Sequence, residues 1–573
     1  MAREILHLDI GNTVTTARLL SRSSAGLKPI SSAVVPTPGA SSEVDLVAGA
    51  EAAYTRAKSG ASAHSLSQPD NVLVTVSAAG EPRVVCAGVV RGISGESAKR
   101  AALAAGATVA DLLAVDDGRH EYQRVSDLRR QIISMVVMAG GVDEEILGSG
   151  RHQLFNIAKT IAEGLPERRS GGGKVPVIYA ASQEGREEVL RILGDSVDIV
   201  WADNVRSRLE EEHLESARNA IVQAFANGVR HDSRFSGLGR FGSPAVMPSG
   251  HAAGMTVDLL SRANNENVLA ISLTGDTVEV FSVIKGVFTR TVTSTSRVQA
   301  KDVVKWLPSA GMARDVAESL ANWQSSPGAL PATWDDLAVF LAFQKEAVRA
   351  AIAEHSESAI ELRGIHRQRQ IGETFQVGVQ GGETLVKMER IGSVFLTGFL
   401  TEILTPQALL SVVLDAVLPC GLTKVYADRN GLMQSYGVLS QGDPAFLGLS
   451  AMQALGVVVS PGRNEERVGS RWAYLNASEG LRQLPVQHGE IAAVALSPEE
   501  RVEFELHPAA KVDLGDGEGR RYRAAISGFN TAYIDGRPRV MRSSDFYSDN
   551  RKWYRSLRVF PPDVLSAWER RRD

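Results

Sequence analysis

Asp9-Ile10-Gly11-Asn12-Thr13-Val14-Thr15-Thr16 is the sharpest string of chemically capable residues in the chain. The apolar run Ile5–Ile10 leads into it and Val14–Leu20 leads out, so Gly11–Asn12 reads as the turn of a hairpin. Glycine there lets backbone N–H groups face a phosphate, the Thr13 and Thr15 hydroxyls add donors, and the Asp9 carboxylate can orient a magnesium-bound water. The same residues also make an ordinary hairpin whose Gly11–Asn12 pair supplies positive φ, and this string alone leaves both readings open. Val268–Val283 repeats the strand–turn–strand pattern around Gly275–Asp276. Ser393–Leu396 reads as a buried strand ending in Thr397–Gly398, a turn where backbone can approach a ligand closely.

Other candidates are weaker. Gly140–Gly141 with Asp143 follows an apolar run, where ligands gather at the carboxyl ends of parallel strands, but a plain strand–helix loop is the simpler account. No Gly-x-Gly-x-x-Gly opens a helix after these strands, which argues against a dinucleotide site. Cys86 and Cys420 lack a second cysteine or histidine at ligand spacing and read as buried, inert thiols. The histidines are scattered, and His507–Pro508 reads as structural. From Arg551 to Asp573, basic and aromatic residues interleave in a way that can stack on single-stranded nucleic acid. Seven basic against three acidic residues is a modest excess, so a solvated helix and tail, or a protein-docking surface, is the reading taken.

The elements that must hold these residues are those of an α/β chain. The 573 residues allow roughly three to four structural units. With 44% hydrophobic and 22% charged residues, most of the sequence is expected to pack, and a net charge of −4 gives no global field for nucleic acid or anionic lipid. Strands are expected at Val72–Val76, Val84–Val90, Asp111–Val115, Ile132–Met138 and Val175–Ala180, with a helix at Ser97–Ala105. These imply a parallel sheet from about Val72 to Asn204. Thr333 with Asp335 and Asp336 marks a helix start before Leu337–Ala353, and from about Pro461 the pattern becomes β-rich. The longest apolar stretch, Val394–Leu422, carries Glu402, Pro406, Gln407 and Asp415, which a span of ~20 residues would not tolerate. No membrane span is expected, and the N-terminus lacks the long apolar core of a signal peptide, so the expected compartment is cytoplasmic.

Asp-Ile-Gly-Asn-Thr at the start of a chain resembles the first phosphate motif of the actin-like ATPase superfamily. More specific strings follow in order: Val76-Ser77-Ala78-Ala79-Gly80, Ala101–Ala107, Val137-Met138-Ala139-Gly140-Gly141-Val142-Asp143, Pro176–Ala180, Asp203-Asn204-Val205, Tyr426-Ala427-Asp428-Arg429-Asn430 before Gly437-Val438-Leu439, Asp513-Leu514-Gly515, and Ile534-Asp535-Gly536-Arg537-Pro538. Together they resemble the MutL (GlmL) family, accessory proteins of adenosylcobalamin-dependent glutamate mutase. The resemblance implies an actin-like, duplicated ribonuclease H-like α/β core with an inserted α/β domain and a C-terminal β-rich domain. The expected parts are 1–71 (core), 72–204 (insert), 205–460 (remainder of the core) and 461–573 (C-terminal domain and basic tail).

It further implies a chaperone-type reactivating factor that binds ATP and Mg2+ and acts on a protein client, a cobalamin-dependent mutase; the oligomeric state stays open. Asp9 would be the catalytic carboxylate and hold the magnesium shell, while Gly11, Asn12, Thr13, Thr15, Gly275, Asp276, Thr277, Thr397 and Gly398 would line the nucleotide. The two glycine hairpins are expected to meet one polyphosphate. Several positions depart from the family pattern. Asn12 follows Gly11 where serine or threonine is usual, Ala17–Arg18 replaces a lysine position, and the third turn keeps only Gly398 of two glycines. The acidic residue that normally opens the second motif is Ser272, leaving Asp276 either to substitute for it or to repel phosphate. Two alternatives therefore stand beside the motor: a degenerate actin-like scaffold that binds a partner without hydrolysis, and a small-molecule kinase, against which chain length and the missing acidic motif argue.

Overall fold

The computed structural model describes residues 3–23, 26–38, 44–61, 69, 71–78, 81–141, 143, 149–165, 173–208, 211–361, 383–440, 452–464, 471–477, 484–499, 501–538 and 546–570. Ala79, Gly80 and Val142 of the motifs above, and Arg571–Asp573 of the basic tail, lie outside the described residues. The chain divides into two compact units, one built on Met1–Thr256 with short returns at Ile360 and Gln434, the other on most of residues 257–573.

In the first unit, β1 (Arg3–Ile10) and β2 (Val14–Ser23) form the expected hairpin, with Ile10 opposite Thr15. A third antiparallel strand, β3 (Gly26–Pro36), follows, while β4 (Asn71–Val76) and later β10 (Ala245–Pro248) run parallel on the other side of β1. The order is β3-β2-β1-β4-β10. Leu6, Leu8, Ile10 and Val74 bury one face against Val47, Ala50, Ala53 and Ala57 of the helix Val47–Ser59, whose small residues recur at helical spacing. Val72–Val76, expected to open the insert, instead joins this sheet. A buried parallel strand carries no local mark of its partner, so the expected boundary at residue 72 falls one strand early.

The insert is a separate parallel sheet of β5 (Arg83–Gly88), β6 (Thr108–Ala114), β7 (Met135–Ala139), β8 (Val175–Tyr179) and β9 (Val197–Trp201) in the order β6-β5-β7-β8-β9. Helix Glu96–Ala104 falls where its pattern placed it, and Cys86 is buried in β5.

In the second unit, β11 (Val268–Leu273), β12 (Thr277–Ile284) and β13 (Val287–Ser294) form the second meander, with β14 (Ser393–Thr397) and β15 (Gly421–Ala427) parallel to β11. The order β13-β12-β11-β14-β15 repeats that of the first unit, so the expected duplicated core is present. This sheet continues through β16 (Gln453–Ser460). The C-terminal strands are β17 (Arg463–Asn464), β18 (Arg471–Ala477), β19 (Leu484–Gln487), β20 (Ile491–Ala495), β21 (Val502–Pro508), β22 (Val512–Asp513), β23 (Tyr522–Ile526) and β24 (Thr531–Asp535). Strands β19-β18-β21-β23 make the expected β-rich sheet, but β24 and β20 extend the core sheet beyond β16, so no clean boundary falls at residue 461. The C-terminal helices Phe546–Leu557 and Pro562–Arg570 are not a solvated tail either. Trp553, Tyr554, Leu557, Leu565 and Trp568 enter the same core as Leu269, Ile271 and Phe340, which removes these rings from an exposed surface on which single-stranded nucleic acid could stack.

Candidate functional site

The groups nominated in the first hairpin gather at the carboxyl end of β1. Asp9 Oδ1 accepts hydrogen bonds from the Thr75 hydroxyl at 2.7 Å and the Ser249 hydroxyl at 2.8 Å, and nothing among the described residues bonds Oδ2. The Gly11 N–H donates to the Val14 carbonyl at 3.0 Å, and a Cβ on Gly11 would stand 2.6 Å from that oxygen, so the turn excludes a side chain. Asn12 is exposed and Thr13 half-buried. Thr37 brackets the loop from within: its hydroxyl donates to the Gly11 carbonyl at 2.7 Å and its N–H to the Thr13 carbonyl at 3.1 Å. With that proton committed, the Thr15 hydroxyl donates to Thr37 at 2.8 Å. Thr15 is fully buried, so it stiffens the loop rather than facing a ligand.

Behind Asp9 lies a chain of polar groups that sequence reasoning missed. Ser435 Oγ lies 2.7 Å from His7 Nδ1, and His7 Nε2 lies 2.9 Å from Thr75 Oγ1. Burial pushes the His7 imidazole down to about 4, against the pull of the Asp9 carboxylate, so the ring is neutral at pH 7. Because Thr75 spends its proton on Asp9, it accepts from Nε2–H, leaving Nδ1 to accept from Ser435. The polarity therefore runs Ser435 to His7 to Thr75 to Asp9 and orients the carboxylate. His7 and Asp9 share one face of a strand by their i, i+2 spacing, the single signal by which the sequence could have exposed this chain. Thr75, Ser249 and Ser435 come from distant elements and carried none.

In the second unit Ser272 holds the register place of Asp9: it lies opposite Thr397 of β14 as Asp9 lies opposite Thr75 of β4. The buried Thr397 hydroxyl donates to Asp428 Oδ2 at 3.1 Å. Asp428 accepts the N–H groups of Leu432 and Met433, both at 2.8 Å, so this wholly buried carboxylate caps a helix start. In the turn, the Thr274 and Thr277 hydroxyls bond each other at 2.8 Å, and Thr274 also lies 2.9 Å from Asp276 Oδ1. Thr295 donates to the Gly275 and Asp276 carbonyls, each at 3.0 Å. Gly275 has φ +98°, and a Cβ there would stand 2.5 Å from the Pro327 carbonyl. Its N–H has no partner among the described residues. Gly398, at φ +88°, packs on backbone: a Cβ would come within 2.6 Å of the Leu273 carbonyl.

Tested against magnesium and a phosphate chain, the two hairpins differ. The first fits, because Asp9, two residues before Gly11, has one oxygen fixed by two hydroxyls and the other unbonded among the described residues. The second offers the Gly275 N–H, but its hydroxyls are spent internally and no carboxylate stands at Ser272. Gly140 and Gly141, with φ +148° and +73°, sit at the end of β7, where Asn204 donates to the Gly141 carbonyl at 2.9 Å and to Asp143 at 3.1 Å. Among the described residues no cluster of His, Cys, Asp and Glu could hold a metal by itself, and no helix is long and apolar enough to cross a membrane.

A protein named MutL from Clostridium tetanomorphum is 27% identical to this chain over 221 residues, 37% of this chain and 45% of that protein, so the match spans less than half the length of the curated relative. Among solved structures, a diol dehydratase-reactivating factor in nucleotide-free form is 11% identical over 77% of this chain and 100% of its own, with a TM-score of 0.31. Component A of (R)-2-hydroxyglutaryl-CoA dehydratase from Acidaminococcus fermentans is 9% identical over 78% of this chain and 99% of its own, with a TM-score of 0.24. Likeness this loose bears on no functional point. The model of the MutL protein family, by contrast, matches residues 5–448, most of the length, and the chain belongs to that family.

Proposed function

We propose that this chain is an accessory, reactivating factor that binds ATP with magnesium at its first hairpin and couples that state to its grip on a cobalamin-dependent mutase. The observation that carries the reading is the Asp9 carboxylate, held on one oxygen by Thr75 and Ser249 beside the bracketed Gly11 turn. Family membership supports the accessory role. Bound magnesium would neutralise phosphate charge. The work of the chain's own residues is to fix Asp9 through the His7–Thr75 relay and to hold the Gly11–Thr13 backbone through Thr37.

A second reading, a scaffold that binds its partner without hydrolysing nucleotide, is favoured by Ser272 at the acid position and by the internally spent Thr274 and Thr277. Removing one electrostatic partner of a phosphoryl reaction costs about 3 kcal/mol of barrier, roughly a hundredfold in rate. Phosphate release separates the two readings. Turnover stimulated by a purified cobalamin-dependent mutase carrying inactivated cofactor supports the reactivase, and binding to that mutase without turnover supports the scaffold. Absence of any complex with the mutase, with or without ATP, would remove both.

A further inference from the structure

A second concave site lies wholly within the second unit. It is a cavity of about 380 Å³, within the range of small-molecule pockets, walled by Trp306, Leu414, Leu418 and Trp553. The indole N–H groups are spent elsewhere, Trp306 on Glu346 at 3.0 Å and Trp553 on the Gly489 carbonyl at 3.0 Å, so the rings present carbon to the cavity, with the Lys305 ammonium 5.2 Å from the Trp306 ring centre and the Arg537 guanidinium 4.8 Å from that of Trp553. Asp415 is carried inward on a π-helical turn, Val413–Val417, which ends at Leu418 with φ +54°; such turns are frequent at functional sites.

The charges are unevenly arranged. In the lining, Arg537 binds Asp415 at 2.5 Å and forks onto Asp535 at 2.8 and 2.9 Å, while Lys345 holds the other Asp415 oxygen at 2.6 Å. Two buried cations thus balance two buried carboxylates. Elsewhere in the lining, Lys305 and Arg349, with side chains 38% and 45% exposed, share the single carboxylate of Glu346. Asp302 acts on Arg349 only at longer range, without an ion pair. Among the described residues, one positive charge therefore lacks a bonded counterion on the solvent-exposed side of the cavity.

We propose that this cavity binds a small organic monoanion, with an apolar, planar body against the tryptophan walls and its acid group at Lys305 and Arg349. The tryptophan rings supply apolar contact area, the buried charges are paired off among themselves, and the exposed positive charge selects the sign of the head. Asp535, Arg537 and Trp553 lie beyond residue 448, where the family match ends, so the C-terminal addition completes a pocket that the matched region could not form alone.

The test titrates the full-length chain with 2-naphthoate, its neutral isostere 2-naphthamide and the cation 2-naphthylmethylammonium, by calorimetry. Saturable one-site binding of the naphthoate, at least fivefold tighter than the amide and with no measurable binding of the cation, is expected. Arg349→Met and Lys305→Met, both at exposed side chains and checked for an unchanged melting profile, should each weaken the naphthoate several-fold and leave the amide unchanged. Equal affinity for acid and amide, failure of all three probes to bind, or naphthoate binding untouched by both variants would overturn the assignment. These readouts involve no nucleotide, so they stand or fall separately from the reactivase proposal.

Discussion

At the scale of residues, a buried neutral imidazole behind the candidate carboxylate has a consequence for pH. The folded-state pKa of His7 is lowered to about 4 from 6.5, so the unfolded chain binds more protons between those values and stability rises with pH across that window. On acidification the contribution of His7 is therefore lost from pH 6.5 down to about 4 and is level below it, up to about 3 kcal/mol in all. His355, buried between Thr291 and Ser282 and lowered to about 3, adds a loss of the same sign. Urea midpoints followed over this range should fall with pH, and His7→Gln should flatten the slope; a slope unchanged in the variant would contradict a neutral His7. Thr75→Val strands the His7 N–H and removes a donor to Asp9, an expected loss of about 2 kcal/mol in unfolding free energy. A variant as stable as the parent would show that the relay is not formed.

At the scale of elements, the site depends on close backbone approaches. Gly437, on helix Met433–Ser440, lies against Ala252 of helix Ser249–Asn264, and a Cβ there would overlap the Ala252 carbonyl oxygen. These helices carry Ser435 and Ser249, the two ends of the polar chain through His7 and Asp9. Gly437→Ala should force the helices apart, costing several kcal/mol, and weaken Asp9-dependent ligand binding as well. Wild-type stability and binding in this variant would deny the approach. The hairpins at Gly11 and Gly275 were legible because alternating apolar runs around a glycine turn are local information. The sheet to which Val72–Val76 belongs was not, because pairing to β1 is a long-range choice between equally apolar partners. The C-terminal helices were misread although their signal was present: Trp553, Tyr554 and Leu557, then Leu565 and Trp568, keep helical spacing on one face, and counting charges obscured it.

At the scale of the whole molecule, the C-terminal part is structural rather than appended. Strands β24 and β20 extend the core sheet, and Trp553, Tyr554 and Trp568 bury large rings within it. A chain ended after Ser460 should lose cooperative unfolding and expose apolar surface, read by dye binding and by the loss of a sharp melting transition; a sharp, unshifted melt would contradict that role. The central claim is that the first hairpin holds magnesium and nucleotide through Asp9, and calorimetric titration with ATP tests it most directly. One site is expected, dependent on magnesium and weakened at least tenfold in Asp9→Ala while the variant stays folded. No binding by the wild-type chain, or equal binding by Asp9→Ala, would contradict it.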